Sequence, residues 1–462
     1  MTARTGAAPG STTAAPVRNA GARADVAAAG LAGLLVVAAV AAALADPAVT
    51  GVPSTRVAAP LFARWLPHVG PGTPAVLLLA AGVVWHGPAL ARTLPWRWLL
   101  GAGYAATVAW TTALAMVDGW HRGLAGRLST PHEYLAEVPG VTDVPATLRG
   151  FTDRILDFQP DSWTTHVAGH PPGALLVFVG LDRVGLGGGG WAALACVLVA
   201  ATVAVSVPVT VRLLASEEAA RAAVPFLVLF PGAVWMGVSA DGLFAGVTAC
   251  GIALLAASTS RSGTSGRALA VAAGLVLGFG CYLSYGLVLM APLAVAVLAA
   301  ARRIAPLIWA AAAAAAVVTV FTLAGFWWPD GYHTLVERYY QGIAADRPYR
   351  YWIWANLACL TLSAGPAMAP VVRRVTVAAS SSVRGPRQWP AATVLLPFAA
   401  AAAIVAADAS GMSKAEVERI WLPFAVWLPA AAALLPTRGR RRWLALQAFT
   451  AIAVNHLLLT TW

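Results

Sequence analysis

Charged residues are scarce in this chain, making up only 11% of its 462 residues. Hydrophobic residues account for 59%, and the mean hydropathy is +0.72. Because soluble domains carry about 25% charged residues, this balance excludes an ordinary globular domain. Long apolar runs recur along the whole chain, which predicts an all-α polytopic membrane protein.

Lysine is nearly absent, since Lys414 is the only lysine among 31 basic residues. Together with the Ala-rich segments, this composition is typical of a GC-rich genome, and we expect an actinobacterial origin. The net charge of +12 would suggest a nucleic-acid partner in a soluble protein. Here the arginines cluster in short connections between apolar runs, as the positive-inside rule predicts for cytoplasmic loops. We therefore expect no nucleic-acid partner.

Cysteine is also rare, with four residues that all fall in hydrophobic segments. No two of them form a CxxC pair, so the pattern favours small buried side chains over disulfides or metal ligands. The sequence predicts no cofactor; a divalent metal is conceivable, but no ligand spacing supports one.

Two regions follow from composition. Residues 1–24, rich in Ala, Gly, Ser, Thr and Pro, are predicted to form a disordered cytoplasmic tail. Residues 25–462 are predicted to form one transmembrane domain. Its first span, at 26–45, ends in Ala43-Leu44-Ala45, which resembles a signal-peptidase site, but the length of the run favours an uncleaved anchor.

The hydropathy pattern predicts about thirteen spans in all. After the first, they lie at 73–90, 98–117, 190–213, 222–236, 239–257, 268–283, 285–301, 305–325, 353–372, 389–407, 420–436 and 443–460. The apolar segment 171–186 is either another span or an interfacial helix. Only the interfacial reading places most arginines on the side of the N-terminal tail. It predicts a multi-pass plasma-membrane protein with a cytoplasmic N-terminus.

Polar residues then collect on the outer face. Three extracytoplasmic loops are predicted, a large one at 118–170 and smaller ones at 327–352 and 408–419. The large loop is longer than a connection requires, which is typical of functional loops. We therefore expect the chemistry of the protein on this face.

Three acidic residues are candidate catalytic groups. Asp118 directly follows a span, where partial desolvation would raise its basicity; it could also be a solvated helix end. Glu133 follows a helix-start signal, Ser129-Thr130-Pro131, and could instead belong to a capped surface helix. Asp241 lies between two apolar spans, where an acid either faces a cavity or caps the second helix.

Basic residues near the same face are candidate phosphate ligands: His170, Lys414, Arg419 and Arg338. His166 and His170 stand four residues apart, without a third ligand that would indicate a metal pair. Lys414, Glu418 and Trp421 share one side of a helix if the segment is helical, where Lys414 and Glu418 could simply pair. Aromatic side chains beside these groups could contact sugar or lipid: Tyr285, Tyr339, Tyr340 and Trp421. They could equally form an interfacial belt.

The order of these features resembles the GT-C superfamily of membrane glycosyltransferases, including protein O-mannosyltransferases and lipid A aminoarabinose transferases. The resemblance covers about residues 98–301 and depends on four pieces. These are an acidic first loop (Asp118 or Glu133), His170-Pro171-Pro172, Asp241 at an outer turn, and a span with glycines from Gly274 to Gly280. Two extra spans before the loop, Gly173 in place of Leu, and the lack of an Asp-Glu pair depart from the pattern.

The resemblance implies a GT-C-like helical bundle whose long outer loop carries interfacial helices. It also implies inverting transfer of a sugar from a polyprenyl-phosphate donor to an extracytoplasmic glycan, lipid or protein. A carboxylate would act as base, with Asp118 first and Glu133 as its rival, Asp241 would support the site, and His170, Lys414 and Arg419 would hold the phosphate. A transporter or lipid flippase is the main alternative, although no internal repeat is visible. A polymerase-like or ligase-like enzyme and a membrane scaffold are further readings.

Overall fold

The computed structural model describes residues 21–51, 58–237, 239–384 and 391–460. Residues 1–20 of the predicted tail lie outside the described residues. The first helix already begins at Ala22, so residues 22–24 belong to helix rather than tail.

Helices dominate the described residues. Three precede the large loop: α1 Ala22–Ala45, α2 Thr73–Thr93 and α3 Trp96–Ala115. The loop contains only short pieces, among them α4 Val144–Arg149 and α5 Thr165–Ala168. The central helices are α6 Pro172–Arg183, α7 Gly189–Ala200, α8 Val203–Leu214, α9 Glu217–Val228, α10 Ala233–Met236, α11 Ala240–Thr259, α12 Gly263–Leu283, α13 Ala291–Ala301 and α14 Pro306–Leu323.

The last third of the chain continues the bundle. Its helices are α15 Trp328–Gln341, α16 Tyr349–Ala364, α17 Met368–Arg384, α18 Ala392–Ala409, α19 Val417–Ile420, α20 Leu422–Ala425 and α21 Arg440–Leu457. A two-stranded antiparallel sheet pairs β1 (Ala63–Trp65) with β2 (Leu458–Thr460). The end of the chain therefore lies beside the segment that leads into α2.

The all-α membrane fold is confirmed, but the helices divide differently from the hydropathy pattern. In the described ranges, seven helical stretches are long and apolar enough to span a membrane, or eight if α16 and α17 form one span bent by 106°. The predicted span at 420–436 is broken into short turns. Helix α6 has 12 residues, about 18 Å, too short to cross a core about 30 Å thick.

Close helix packing forms the interior. Helix α12 lies against α11 and α14, and a Cβ added at Gly274 would stand 2.1 Å from the carbonyl oxygen of Ala310. Only glycine permits this approach. Helix α1 is mostly exposed, yet Asp25 is buried and pairs with Arg373 and Arg374 of α17. This ion cluster attaches α1 to the bundle.

Two local expectations are wrong. The helix predicted after the start signal Ser129-Thr130-Pro131 is replaced by short 3-10 turns at Tyr134–Ala136 and Val138–Gly140. The chain at 414–421 is not one helix, because Ala415 and Glu416 both adopt positive φ, at 70° and 62°. Lys414 and Glu418 therefore do not pair along a helix face.

Candidate functional site

A buried cleft at the start of α11 brings together three distant segments. Its walls are formed by Glu133 and Tyr134 of the large loop, His166 of α5, Ser239 and Asp241 at the start of α11, and Arg419 of α19. Glu133, Asp241 and Arg419 are all buried. Because isolated buried charges are expensive, they must be paired, and they are.

Arg419 lies at the centre of the cleft. Its Nη1 donates to Asp241 Oδ2 at 2.7 Å, and its Nη2 donates to Glu416 Oε2 at 2.8 Å. Asp241 occupies the first turn of α11, where the helix dipole favours a negative charge. Its other oxygen, Oδ1, accepts no hydrogen bond from the part of the chain described here. Asp241 therefore offers one oxygen for chemistry while the other is held.

His166 connects Arg419 to Glu133. Nη2 of Arg419 stands 3.3 Å from His166 Nε2, and His166 Nδ1 stands 2.8 Å from Glu133 Oε1. Because a guanidinium can only donate, Nε2 is the acceptor, and Nδ1 carries the hydrogen that points to Glu133. His166 thus positions Arg419 from the side opposite Glu416.

Glu416 links a second arginine to the network. Its Oε1 accepts from Arg347 Nη2 at 2.8 Å, and Arg347 Nη1 donates to the carbonyl oxygen of Lys414 at 2.7 Å. Burial raises the pKa of Glu416, but Arg347 and Arg419 outweigh it and lower the pKa to about 2. The same carboxylate, with Asp241, raises the pKa of Arg419 against its burial. Glu416 therefore carries its negative charge at neutral pH.

Lys414 lies beside this network, and its backbone carbonyl accepts from Arg347. Its backbone N–H donates to Tyr339 Oη at 2.9 Å, and its Nζ lies 5.1 Å from the ring centre of Tyr340. Burial lowers the pKa of Lys414, and the positive charge of Arg347 lowers it further. No carboxylate among the described residues forms an ion pair with it, so its ammonium is available for an anion.

The remaining predicted phosphate ligands have other surroundings. Burial lowers the pKa of His170 to about 4, so the ring is neutral at pH 7. Its Nδ1 donates to the carbonyl oxygen of His166 at 2.8 Å, leaving Nε2 as an acceptor only. Arg338 forms an ion pair with Asp157. As phosphate ligands, His170 and Arg338 stay predictions that these surroundings do not favour.

The four aromatic residues predicted to contact sugar or lipid also lie in different parts of the structure. Tyr339 and Tyr340 flank Lys414 and contact each other edge to face. Tyr285 packs against Trp328 and Tyr332, and Trp421 is completely buried in the main core. Of the four, only Tyr339 and Tyr340 lie where a ligand of Lys414 would meet them.

Asp118 lies in a different ion cluster. Its Oδ1 is 2.9 Å from Arg122 Nη2 and 3.1 Å from His68 Nε2, and its Oδ2 is 3.7 Å from Arg127 Nη2. It is not one of the residues that line the cleft around Arg419. As a general base, Asp118 stays a prediction that this geometry does not favour.

Sequence reasoning missed Glu416, Arg347 and Tyr134. A usable signal existed for Arg347, because it lies in the predicted outer loop 327–352, where arginines stand among tyrosines and tryptophans. Glu416 stands three residues before Arg419, a spacing that pairs side chains on a helix, but no local signal indicated its bond to Arg347. In the described residues, no group of three or more His, Cys, Asp or Glu side chains is arranged to hold a metal ion.

Fold and site together define a polytopic membrane protein with a buried network of acids and arginines at the ends of its helices. No family model matches the chain, and no curated protein matches it. Two solved structures of ArnT from Cupriavidus metallidurans are similar to it in overall shape. The apo structure gives a TM-score of 0.45 at 18% identity over 72% of this chain, and the structure with undecaprenyl phosphate gives 0.44 at 17% over 71%. The match covers 59% of the length of either structure.

The buried carboxyl group of Glu418 should make the stability of the folded protein depend on pH. The Glu418 side chain is buried next to the network, and burial, helped by the charge of Glu416, raises its pKa to about 7 from 4.5. The folded protein therefore binds this proton more tightly than the unfolded chain, and its stability decreases as pH rises from about 4.5 to about 7. Glu418→Gln cannot ionise. We expect its melting temperature, relative to wild type, to rise across this window.

Thermal unfolding in detergent, followed at several pH values, measures this difference. Glu337→Gln is the matched control, because Glu337 is exposed and should leave the pH dependence unchanged. Parallel wild-type and Glu418→Gln curves would contradict the raised pKa.

Proposed function

We propose that this protein is a GT-C-type membrane glycosyltransferase that transfers a sugar from a polyprenyl-phosphate donor to an extracytoplasmic acceptor, with inversion. The observation that carries the proposal is a buried carboxylate, Asp241, with one oxygen free of hydrogen bonds from the described residues. The ion network around it reaches the backbone of Lys414, whose ammonium has no ion-pair partner among those residues. Glycosyl transfer from a lipid phosphate needs these two groups. One removes the proton of the acceptor, and the other receives the charge of the leaving phosphate.

The reaction follows from the charges. Asp241 removes the proton from an acceptor hydroxyl, whose oxygen then bonds to the anomeric carbon of the donor. The bond from that carbon to the phosphate oxygen breaks, and its electron pair leaves with the polyprenyl phosphate. The phosphate gains one negative charge in this step, and Lys414 stabilises it.

Arg419 has a supporting role in this proposal. Both ends of its guanidinium are taken by Asp241 and Glu416, so it is poorly placed to bind a phosphate as well. It fixes the position of Asp241. Glu133 and His166 hold Arg419 from the other side, which makes them positioning residues.

Orientation completes the proposal. The short connections rich in arginine would face the cytoplasm, and the cleft would face outward, where a lipid carrier presents its phosphate head group. The acceptor would be a glycan, a lipid or a protein.

Binding of the lipid can be tested without knowing the sugar. We expect Lys414→Met to weaken binding of a polyprenyl phosphate by about 10- to 100-fold, because hydrogen bonds to charged groups contribute about 1.5–3 kcal/mol. Native mass spectrometry of the purified protein measures it, and Lys414→Arg should recover part of the affinity. A polyprenol without phosphate should bind wild type and Lys414→Met equally. If Lys414→Met binds the phosphate lipid as tightly as wild type, the donor site is elsewhere.

A strain that lacks the protein tests the activity itself. Mass spectrometry should show an accumulated polyprenyl-phosphate sugar together with a glycan, lipid or protein that lacks that sugar, and wild type should reverse both. A polyprenyl-phosphate sugar that accumulates only on the cytoplasmic side would instead indicate a flippase and contradict the proposal.

A further inference from the structure

A second ion cluster lies away from the cleft, at one end of three helices. It consists of His68, Asp118, Arg122 and Arg127, here called the Asp118 cluster. His68 precedes the start of α2, Asp118 follows the end of α3, and Arg127 donates to the carbonyl oxygen of Thr460, just beyond α21. Because α2 is long and apolar enough to span a membrane, its end places the cluster near a membrane surface.

The local backbone is built tightly around this position. The N–H of Gly72 donates to the carbonyl oxygen of Met116 at 3.0 Å. A Cβ added at Gly70 would stand 1.9 Å from the carbonyl oxygen of Val117. The segment that carries His68 is therefore packed directly onto the end of α3.

Positive charge exceeds negative charge in the Asp118 cluster. Two guanidinium groups, of Arg122 and Arg127, surround the single carboxylate of Asp118, before any charge on His68 is counted. His68 does not change this balance, because its Nδ1 lies 2.7 Å from the carbonyl oxygen of Leu66 and its Nε2 lies 3.1 Å from Asp118 Oδ1. The cluster can therefore accept one more negative charge.

The two arginines of the Asp118 cluster also have N–H groups that are free to donate. Arg127 is nine-tenths buried, and its Nε has no hydrogen-bond partner among the described residues. The side chain of Arg122 is 48% exposed, which leaves one side of its guanidinium open. Trp65 and Trp120 are both more than half exposed and lie next to the cluster in the chain. Exposed tryptophans at helix ends are typical of the membrane–water interface.

We propose that the Asp118 cluster is a second binding site, which takes the phosphate or carboxylate oxygens of an anionic ligand at the membrane surface. Arg122 and Arg127 bind the oxyanion, since planar guanidinium groups match its geometry. Asp118 orients both arginines. The ligand is either the head group of an anionic phospholipid or a free anion of the same chemistry.

The test uses the purified full chain with Lys414→Met as background, so that the proposed donor site does not contribute. One arm titrates a short-chain anionic phospholipid and the other titrates inorganic phosphate, both followed by native mass spectrometry. Arg122→Gln is the test variant. Arg97→Gln is the matched control, because Arg97 is exposed and outside the cluster.

We expect Arg122→Gln to bind the anionic phospholipid about fivefold more weakly than Arg97→Gln, the effect of about one interfacial arginine. Weaker binding in both arms identifies a general oxyanion site, and weaker binding in the lipid arm alone identifies a head-group site. Arg127→Lys provides a second test, because lysine keeps the positive charge but lacks the planar guanidinium group that can bind two oxygens at once. Equal binding by Arg122→Gln, Arg127→Lys and the control in both arms would overturn the proposal. That result would leave the glycosyltransferase proposal untouched, since neither arm involves a sugar donor.

Discussion

Asp241→Asn is expected to reduce sugar transfer by about 100- to 10,000-fold, the usual contribution of a general base. The amide has nearly the shape of the carboxylate but cannot accept the proton of an acceptor hydroxyl. It also keeps an oxygen that can accept from Arg419 Nη1, now 2.7 Å from Oδ2. We therefore expect the loss to fall on turnover, with donor binding nearly unchanged.

Complementation of the deletion strain measures this effect. Asp241→Asn should leave the polyprenyl-phosphate sugar accumulated, as in the empty strain. Asp330→Asn is the matched control, because Asp330 also occupies the first turn of a helix but is exposed. It should restore the wild-type pattern.

Glu133→Gln tests whether Glu133 is the base or only positions other residues. Its loss should be smaller than that of Asp241→Asn, since His166 still contacts Arg419. If Asp241→Asn complements fully and Glu133→Gln does not, Glu133 is the base and the assignment of Asp241 is wrong.

Arg419→Gln is expected to destabilise the fold by about 3–5 kcal/mol, because it leaves two buried carboxylates with one partner fewer. Asp241 loses its ion pair in the described network, and Glu416 keeps only Arg347. Thermal unfolding in detergent should show a clear decrease in melting temperature. Arg350→Gln, at an exposed position near the start of α16, should melt as wild type does.

The double variant identifies the cause. Asp241→Asn removes the charge that Arg419→Gln leaves unpaired, so the two changes together should cost less than the sum of each alone. Additive effects would mean that the arginine stabilises the protein by packing rather than by its charge. A melting temperature equal to that of Arg350→Gln would contradict the buried ion network.

Part of the site could be predicted from single positions. An acid between two apolar segments is costly unless it has a partner, and this reasoning singled out Asp241. The same reasoning could not name Arg419 as that partner, because 178 residues separate them and only packing brings them together. For this reason Asp241, and not Asp118, is the base in the proposed reaction. Asp118 satisfies the same local pattern, but in the fold it is surrounded by cations.

Local backbone geometry explains the other difference. A helix through Lys414 would have paired it with Glu418. Ala415 and Glu416 instead adopt left-handed conformations, which are uncommon for residues other than glycine and are not predicted by these side chains. The turn directs Glu416 toward both arginines and leaves Lys414 between two tyrosines.

Hydropathy and charge act over short stretches of chain, so the membrane class, the helical fold and the concentration of ionisable groups in the connections could be predicted without coordinates. Which of those groups meet depends on how the helices pack. Glu133, His166, Asp241, Glu416 and Arg419 come from three separate connections, and the energy of pairing buried charges depends on distances of about 3 Å that helix packing sets.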